Sequence, residues 1–241
     1  MNLDPERIRS NLRDVQARLA AAAVRSGRAA DAARLVAVTK TVPPETIRVL
    51  IEAGQLDIGE NRPQQLRDRA AELAGLVVAE RRAASGGPVR WHLIGQLQRN
   101  KVKYVVPTCT LIHSVDSAAL AEEIGRRAAA AGVRAACLME INSGEEQKSG
   151  VLPADAPAVA AAVAALPGID LAGLMTMAPL VDDPETVRPV FAALRLLREG
   201  INRTVALPHP LTELSMGMTQ DFEIAIEEGA TIVRVGTALF R

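Results

Sequence analysis

The chain has 241 residues, a natural length for one α/β barrel, which commonly runs to roughly 250 residues, so one domain over residues 1–241 is expected. Hydrophobic residues make up 49% and charged residues 23%, with 28 basic against 28 acidic, which excludes charge-driven disorder and the electrostatic footprint of a nucleic-acid binder and points to a small ligand. Aromatics are only 2%, so the core must be built from Leu, Val, Ile, Ala and Met, with few rings left to stack on bases or sugars.

Met1-Asn2-Leu3-Asp4-Pro5 has no basic-then-apolar leader, and the most apolar stretch, Ala158 to Val181, is broken by Pro167, Asp170 and Pro179; secretion and membrane spanning are not expected. Asp4-Pro5 then reads as a cap and first helical turn, followed by Ile8, Leu12, Val15, Leu19 and Ala22 at helical spacing. Beyond this helix short apolar runs read as strands: Leu35 to Thr39, Leu56 to Gly59, Trp91 to Gly95, Leu111 to Ser114, Ala135 to Ile141, Leu171 to Met175, Thr212 to Met216 and Thr231 to Val235. Periodic stretches lie between them at Pro44 to Ala53, Arg62 to Leu76, Ser117 to Ala131, Ala154 to Leu166, Pro184 to Glu199 and Gln220 to Glu228. Ala79 to Pro88 reads as a surface loop. Buried strands joined by helices pair in parallel, and eight such units favour a closed (β/α)8 TIM barrel with an extra N-terminal helix over an open sheet. Cys109 and Cys137 lack a CxxC spacing and sit among apolar neighbours, as expected of a reducing, cytoplasmic compartment.

In a barrel the C-terminal strand ends converge on one mouth, where active sites of this architecture sit. Lys40 ends the first strand, and an amine at such a rim loses hydration, which frees its nucleophilic form for imine formation with an aldehyde; a solvated lysine at the start of a loop is the bland alternative. Ser215-Met216-Gly217 and Gly236-Thr237 follow the seventh and eighth strands, the usual place of a phosphate cup, although either glycine alone could simply permit a tight turn. Arg234 lies in the last strand. It either points inward, where it needs an acceptor such as a pyridine nitrogen, or outward into a surface ion pair. Together these residues suggest a phosphorylated aldehyde. His92, His113 and His209 lack metal-ligand spacing, and the first two, inside predicted strands, are expected to be packed or hydrogen-bonded. Asp221 and Glu223 suit a helix start.

Ordered blocks from end to end resemble the pyridoxal phosphate homeostasis proteins, small relatives of the alanine racemase barrel. They are Leu35 to Lys40, Gly59-Glu60-Asn61-Arg62, Trp91 to Gly95 with Leu97 to Lys101, His113 to Asp116, Lys148-Ser149-Gly150, Gly173 to Met177, Leu214 to Met218 and Arg234 to Ala238. The resemblance implies a Schiff base between Lys40 and pyridoxal 5'-phosphate, a phosphate held by Ser215, Gly217, Gly236 and Thr237, Arg234 facing the pyridine nitrogen and Asn61 beside the ring. Two departures stand out: Arg99 replaces what is often a small or uncharged residue, and the chain stops at Arg241 where relatives continue with glycine and a short tail, which suggests a shortened terminus.

An arginine at the pyridine nitrogen keeps it unprotonated and makes the ring a poor electron sink. Racemases add a tyrosine base from a second domain, whereas the only tyrosine here is Tyr104, on a predicted helix after the third strand. The expectation is therefore a monomeric carrier without robust catalysis that holds pyridoxal phosphate on Lys40 and releases it to apo-enzymes, its transient partners, or to the free pool. A slow racemase or lyase, and a barrel that binds a phosphorylated metabolite without a covalent bond, are the alternatives.

Overall fold

The computed structural model describes residues 4–80, 87–144 and 149–241. Helix α1, Pro5–Arg25, starts where the Asp4 carboxylate accepts from the Glu6 N–H at 3.1 Å and Pro5 fills the first turn. Its buried face is the predicted one, Ile8, Leu12, Val15, Leu19 and Ala22. Eight parallel strands follow: β1 Arg34–Val38, β2 Asp57–Glu60, β3 Arg90–Leu93, β4 Leu111–Val115, β5 Ala135–Glu140, β6 Ile169–Met175, β7 Glu213–Ser215 and β8 Ile232–Val235. They pair in sequence order and close on themselves, with β1 against β8 in the register Arg34–Ile232 to Ala37–Val235. The expected (β/α)8 barrel with its additional N-terminal helix is the observed fold.

The outer helices are α2 Pro44–Glu52, α3 Pro63–Glu80, α4 Ala118–Ala130, α5 Ala156–Ala164, α6 Arg188–Thr204, α7 Phe222–Glu227 and the four-residue α8 Thr237–Phe240. Four features differ from the sequence expectation, and the first is α8, which it did not include. Helix α3 runs four residues past Leu76, and residues 81–86 of the anticipated loop lie outside the described residues. The stretch from Pro184 divides into a 3-10 turn, Pro184–Val187, and α6 proper, because Pro189 has no N–H to continue the ladder. After β3 the chain forms a 3-10 turn, Arg99–Tyr104, rather than a full helix.

Strand alternation sorts the core into two shells. Val36, Leu111, Leu138, Met175 and Ile232 meet inside the barrel, while Leu35, Ala37, Ile58, Leu93, Leu214 and Val233 face the helices. A bulge between Cys137 and Leu138 shifts the β5–β6 register. Helix α1 packs on α7, α8 and α2, and Arg18 bonds Glu223, Arg25 bonds Glu227, and Asn11 reaches the Leu239 and Arg241 carbonyls. Among the described residues no helix is long and apolar enough to cross a membrane.

Candidate functional site at the barrel mouth

Lys40 follows β1 in the turn above Val38, exposed at the mouth rather than partly withdrawn from water as the sequence suggested. In the alternation that points Val36 into the barrel, Lys40 falls on the inward side. The outward Thr39 anchors its turn. The Thr39 hydroxyl donates to Glu60 at 2.5 Å, and Arg69 on α3 donates to Glu60, to the Thr39 carbonyl at 2.7 Å and to the Val42 carbonyl. Arg69 thus clamps the lysine turn; a lone arginine on a helix gave no sequence signal for it. Asn61 leaves β2 half-buried at the same rim.

Arg234 points inward. It is only 4% exposed, donates to the Ser215 hydroxyl at 2.5 Å and to the Thr176 carbonyl at 2.9 Å, and the alternative of a surface ion pair falls away. Burial lowers its pKa to about 10, against the opposing pull of Asp221 and Glu140, so it remains a cation at neutral pH.

The two turns expected to cradle a phosphate lie beside it. Gly217 has φ +92°, and a Cβ there would stand 2.6 Å from Ala225 Cβ. At Gly236 a Cβ would stand 3.2 Å from Val38 on the adjacent strand end, so its backbone lies against the turn that carries Lys40. Asp221 accepts from the Met218 N–H at 2.5 Å and fixes the Gly217 turn, a structural role as anticipated. Thr237 is exposed at the start of α8. Ser215, by contrast, is fully buried and its side chain is already engaged on both sides.

The second partner of Ser215 is His113, whose Nδ1 lies 2.8 Å from the hydroxyl. His113 Nε2 meets His92 Nδ1 at 2.9 Å, and His92 Nε2 meets Asp57 at 3.0 Å. Asp57 also takes a two-pronged ion pair from Arg90, at 2.7 and 2.5 Å. Both histidines are therefore hydrogen-bonded core residues, as their placement in strands suggested. Burial, which opposes the Asp57 carboxylate, is outweighed by its hydrogen bonds from Arg90 and His92, and its pKa falls well below the usual carboxylate range. Burial also lowers both imidazoles, His113 strongly, reinforced there by His92, Arg234 and Arg34.

These shifts fix a pH dependence of stability. Below about pH 6.5 the unfolded chain protonates its imidazoles while the folded one does not, so stability is complete above that pH and is lost as pH falls. By pH 5.5, His113 alone should remove about 1.4 kcal/mol, with His92 acting in the same sense; Asp57 stays ionised in both states across this window. Urea midpoints at pH 7.5 and 5.5 check this, and equal midpoints would contradict it.

Glu140 was not anticipated. It ends β5 on the same side as Leu138, is 4% exposed and accepts from the Ser149 hydroxyl at 2.9 Å. Burial, then Asp116, raises its pKa, against Ser149 and Arg234. Lys148, part of the same sequence block, lies outside the described residues. Tyr104 packs against the Arg67 guanidinium, 4.8 Å from its ring centroid.

The alanine racemase N-terminal domain family matches residues 3–241. A pyridoxal phosphate homeostasis protein of Aquifex aeolicus is 44% identical over 226 residues, 92% of this chain and 92% of its own length. A crystal structure of an unknown protein from Bifidobacterium adolescentis superposes with a TM-score of 0.91 at 45% identity, covering 98% of this chain and 95% of that one. The structure of PipY from Synechococcus elongatus with PLP bound has a TM-score of 0.81 at 33% identity and covers 97% and 100%.

Proposed function

Because the chain belongs to the alanine racemase N-terminal domain family and, within it, to the pyridoxal phosphate homeostasis proteins, we propose that it binds pyridoxal 5'-phosphate at the barrel mouth and buffers the intracellular supply of that cofactor. The observation that carries this reading is the inward, buried Arg234 cation beneath two glycine turns, on the strand next to the one that presents Lys40. A phosphorylated pyridine aldehyde suits such a donor set: the phosphate takes backbone N–H groups of Gly217, Gly236 and Thr237, the ring nitrogen takes Arg234, and Asn61 lies at the ring's edge.

The Ser215 hydroxyl is engaged by His113 and Arg234, so its side chain serves the cup by supporting Arg234 from behind. Pyridoxal phosphate, when bound, would supply an aldehyde able to condense reversibly with a primary amine, with release of one water. Lys40 is the amine that would meet it, and its exposure keeps water and other amines within reach. That accessibility suits a carrier that returns its cargo to apo-enzymes or to the free pool.

Catalysis on amino acids has little support. Arg234 donates to a ring nitrogen without protonating it, and Tyr104 is committed to a cationic surface patch. The Aquifex relative is named for homeostasis rather than for a reaction. A monomeric, cytoplasmic protein is the simplest form of such a carrier.

Borohydride reduction of the protein incubated with pyridoxal phosphate, followed by peptide mass analysis, tests the assignment. The pyridoxyl adduct is expected on the peptide that contains Lys40. Binding without a reducible adduct would instead select a non-covalent phosphate site.

A further inference from the structure

The polar side chains that cross the barrel interior have one consistent direction. The Asp57 carboxylate can only accept, so His92 must carry its proton on Nε2 and present Nδ1 as an acceptor. His113 then donates from Nε2 and accepts at Nδ1, and the Ser215 hydroxyl donates to His113. Its oxygen is left to accept from Arg234. Each of the four contacts is 2.5 to 3.0 Å long, and the residues between Asp57 and Arg234 are at most 1% exposed. The chain starts at the barrel's opposite end, where Asp57 and Arg90 line a cavity of about 260 Å³ between α1 and the strand starts.

We propose that Asp57, His92, His113 and Ser215 form a one-way hydrogen-bond relay in which the three more distant residues are positioning residues for the cofactor site, fixing the Ser215 hydroxyl as an acceptor for Arg234. The inference rests on the reading of that site given above. With the relay in this sense, the Ser215 proton is turned away from the mouth. Reversing it would make His113 donate to Ser215, whose oxygen already receives from Arg234, and would leave the buried hydroxyl proton without the acceptor it has now. Neutral imidazoles are required for either direction, and their burial favours that state.

Asp57→Leu provides the reversal. One Asp57 oxygen meets both Arg90 Nε and His92 Nε2, so an asparagine would keep its oxygen there for both and leave the relay as it is, whereas a leucine offers His92 no acceptor and frees Arg90 to donate to it. His92 Nε2 becomes an acceptor, and the change passes along to Ser215. The experiment is 15N NMR of the histidine rings in the full chain without added cofactor, together with titration of the same proteins with pyridoxal phosphate. In the parent, both His92 and His113 are expected as neutral Nε2–H tautomers. In Asp57→Leu both should become Nδ1–H, and pyridoxal phosphate should be held about threefold to tenfold less tightly, because Arg234 loses its fixed acceptor.

An Nδ1–H tautomer or an imidazolium at either position in the parent at neutral pH overturns the relay, and this measurement needs no variant to fold. Reversed tautomers with an unchanged dissociation constant overturn its positioning role. Failure of the parent to bind pyridoxal phosphate strikes the functional reading instead, and the tautomers measured without cofactor still decide the relay itself.

Discussion

Replacing Lys40 with alanine is expected to abolish the visible imine absorbance that the parent develops with pyridoxal phosphate. The dissociation constant should rise at least about a hundredfold, or ~2.7 kcal/mol. The fold should survive, because Lys40 is exposed in a turn held by Arg69, Thr39 and Glu60 rather than by its own side chain. What remains is the phosphate cup and Arg234, so weak saturable binding without colour should persist. Absorbance titration of the two proteins, with far-UV circular dichroism to establish folding, measures this. A band of equal strength in the variant would move the covalent site to another amine.

Gly217→Ala is expected to lower stability by about 3 kcal/mol. A left-handed φ costs an alanine roughly 1–2 kcal/mol, and overpacking typically adds about 1–3 kcal/mol. Here the new methyl would lie 2.6 Å from Ala225 Cβ and 3.0 Å from Phe222 Cα, both in α7. Neither neighbour can yield as a flexible side-chain end would. For a chain of this size the thermal midpoint should fall by roughly 10 °C, and the displaced turn should weaken phosphate binding. Gly200→Ala on α6 is the control: nothing lies within 4 Å of its Cβ position, so helix propensity alone should make it neutral or stabilising by up to about 1 kcal/mol. Scanning calorimetry of both variants compares them, and equal midpoints would show that the α7 contact is not restrictive.

The barrel was legible because each buried strand is a short apolar run bracketed by helical periodicity, and all eight strands lie within about two residues of their expected bounds. The strand-end rule then placed Lys40, Asn61, Gly217, Gly236 and Thr237 around one mouth. Arg234 could be located in a strand, but its direction could not be read, because Arg-in and Arg-out strands share one pattern until register is known. The relay is illegible for the same reason: Asp57, His92, His113 and Ser215 come from four strands and become neighbours only through the shear of the closed barrel. Glu140 was not singled out, because one acidic residue inside a predicted strand carries no mark of the direction it faces. Its burial depends on Ser149 returning over it, a loop contact that periodicity does not encode.

The clasp between α1 and the last helices sets the order in which this protein can fold. Arg18 and Glu223 are 205 residues apart in the chain, and β1 finds one of its two partners only in β8. At about 5–20 residues per second of synthesis, the apolar stripe of α1 stays without its native cover for roughly 10 to 40 s. During that interval Ile8, Leu12, Val15 and Leu19 lack the cover that α7 and α8 give them, and closure of the barrel waits for β8 to reach β1.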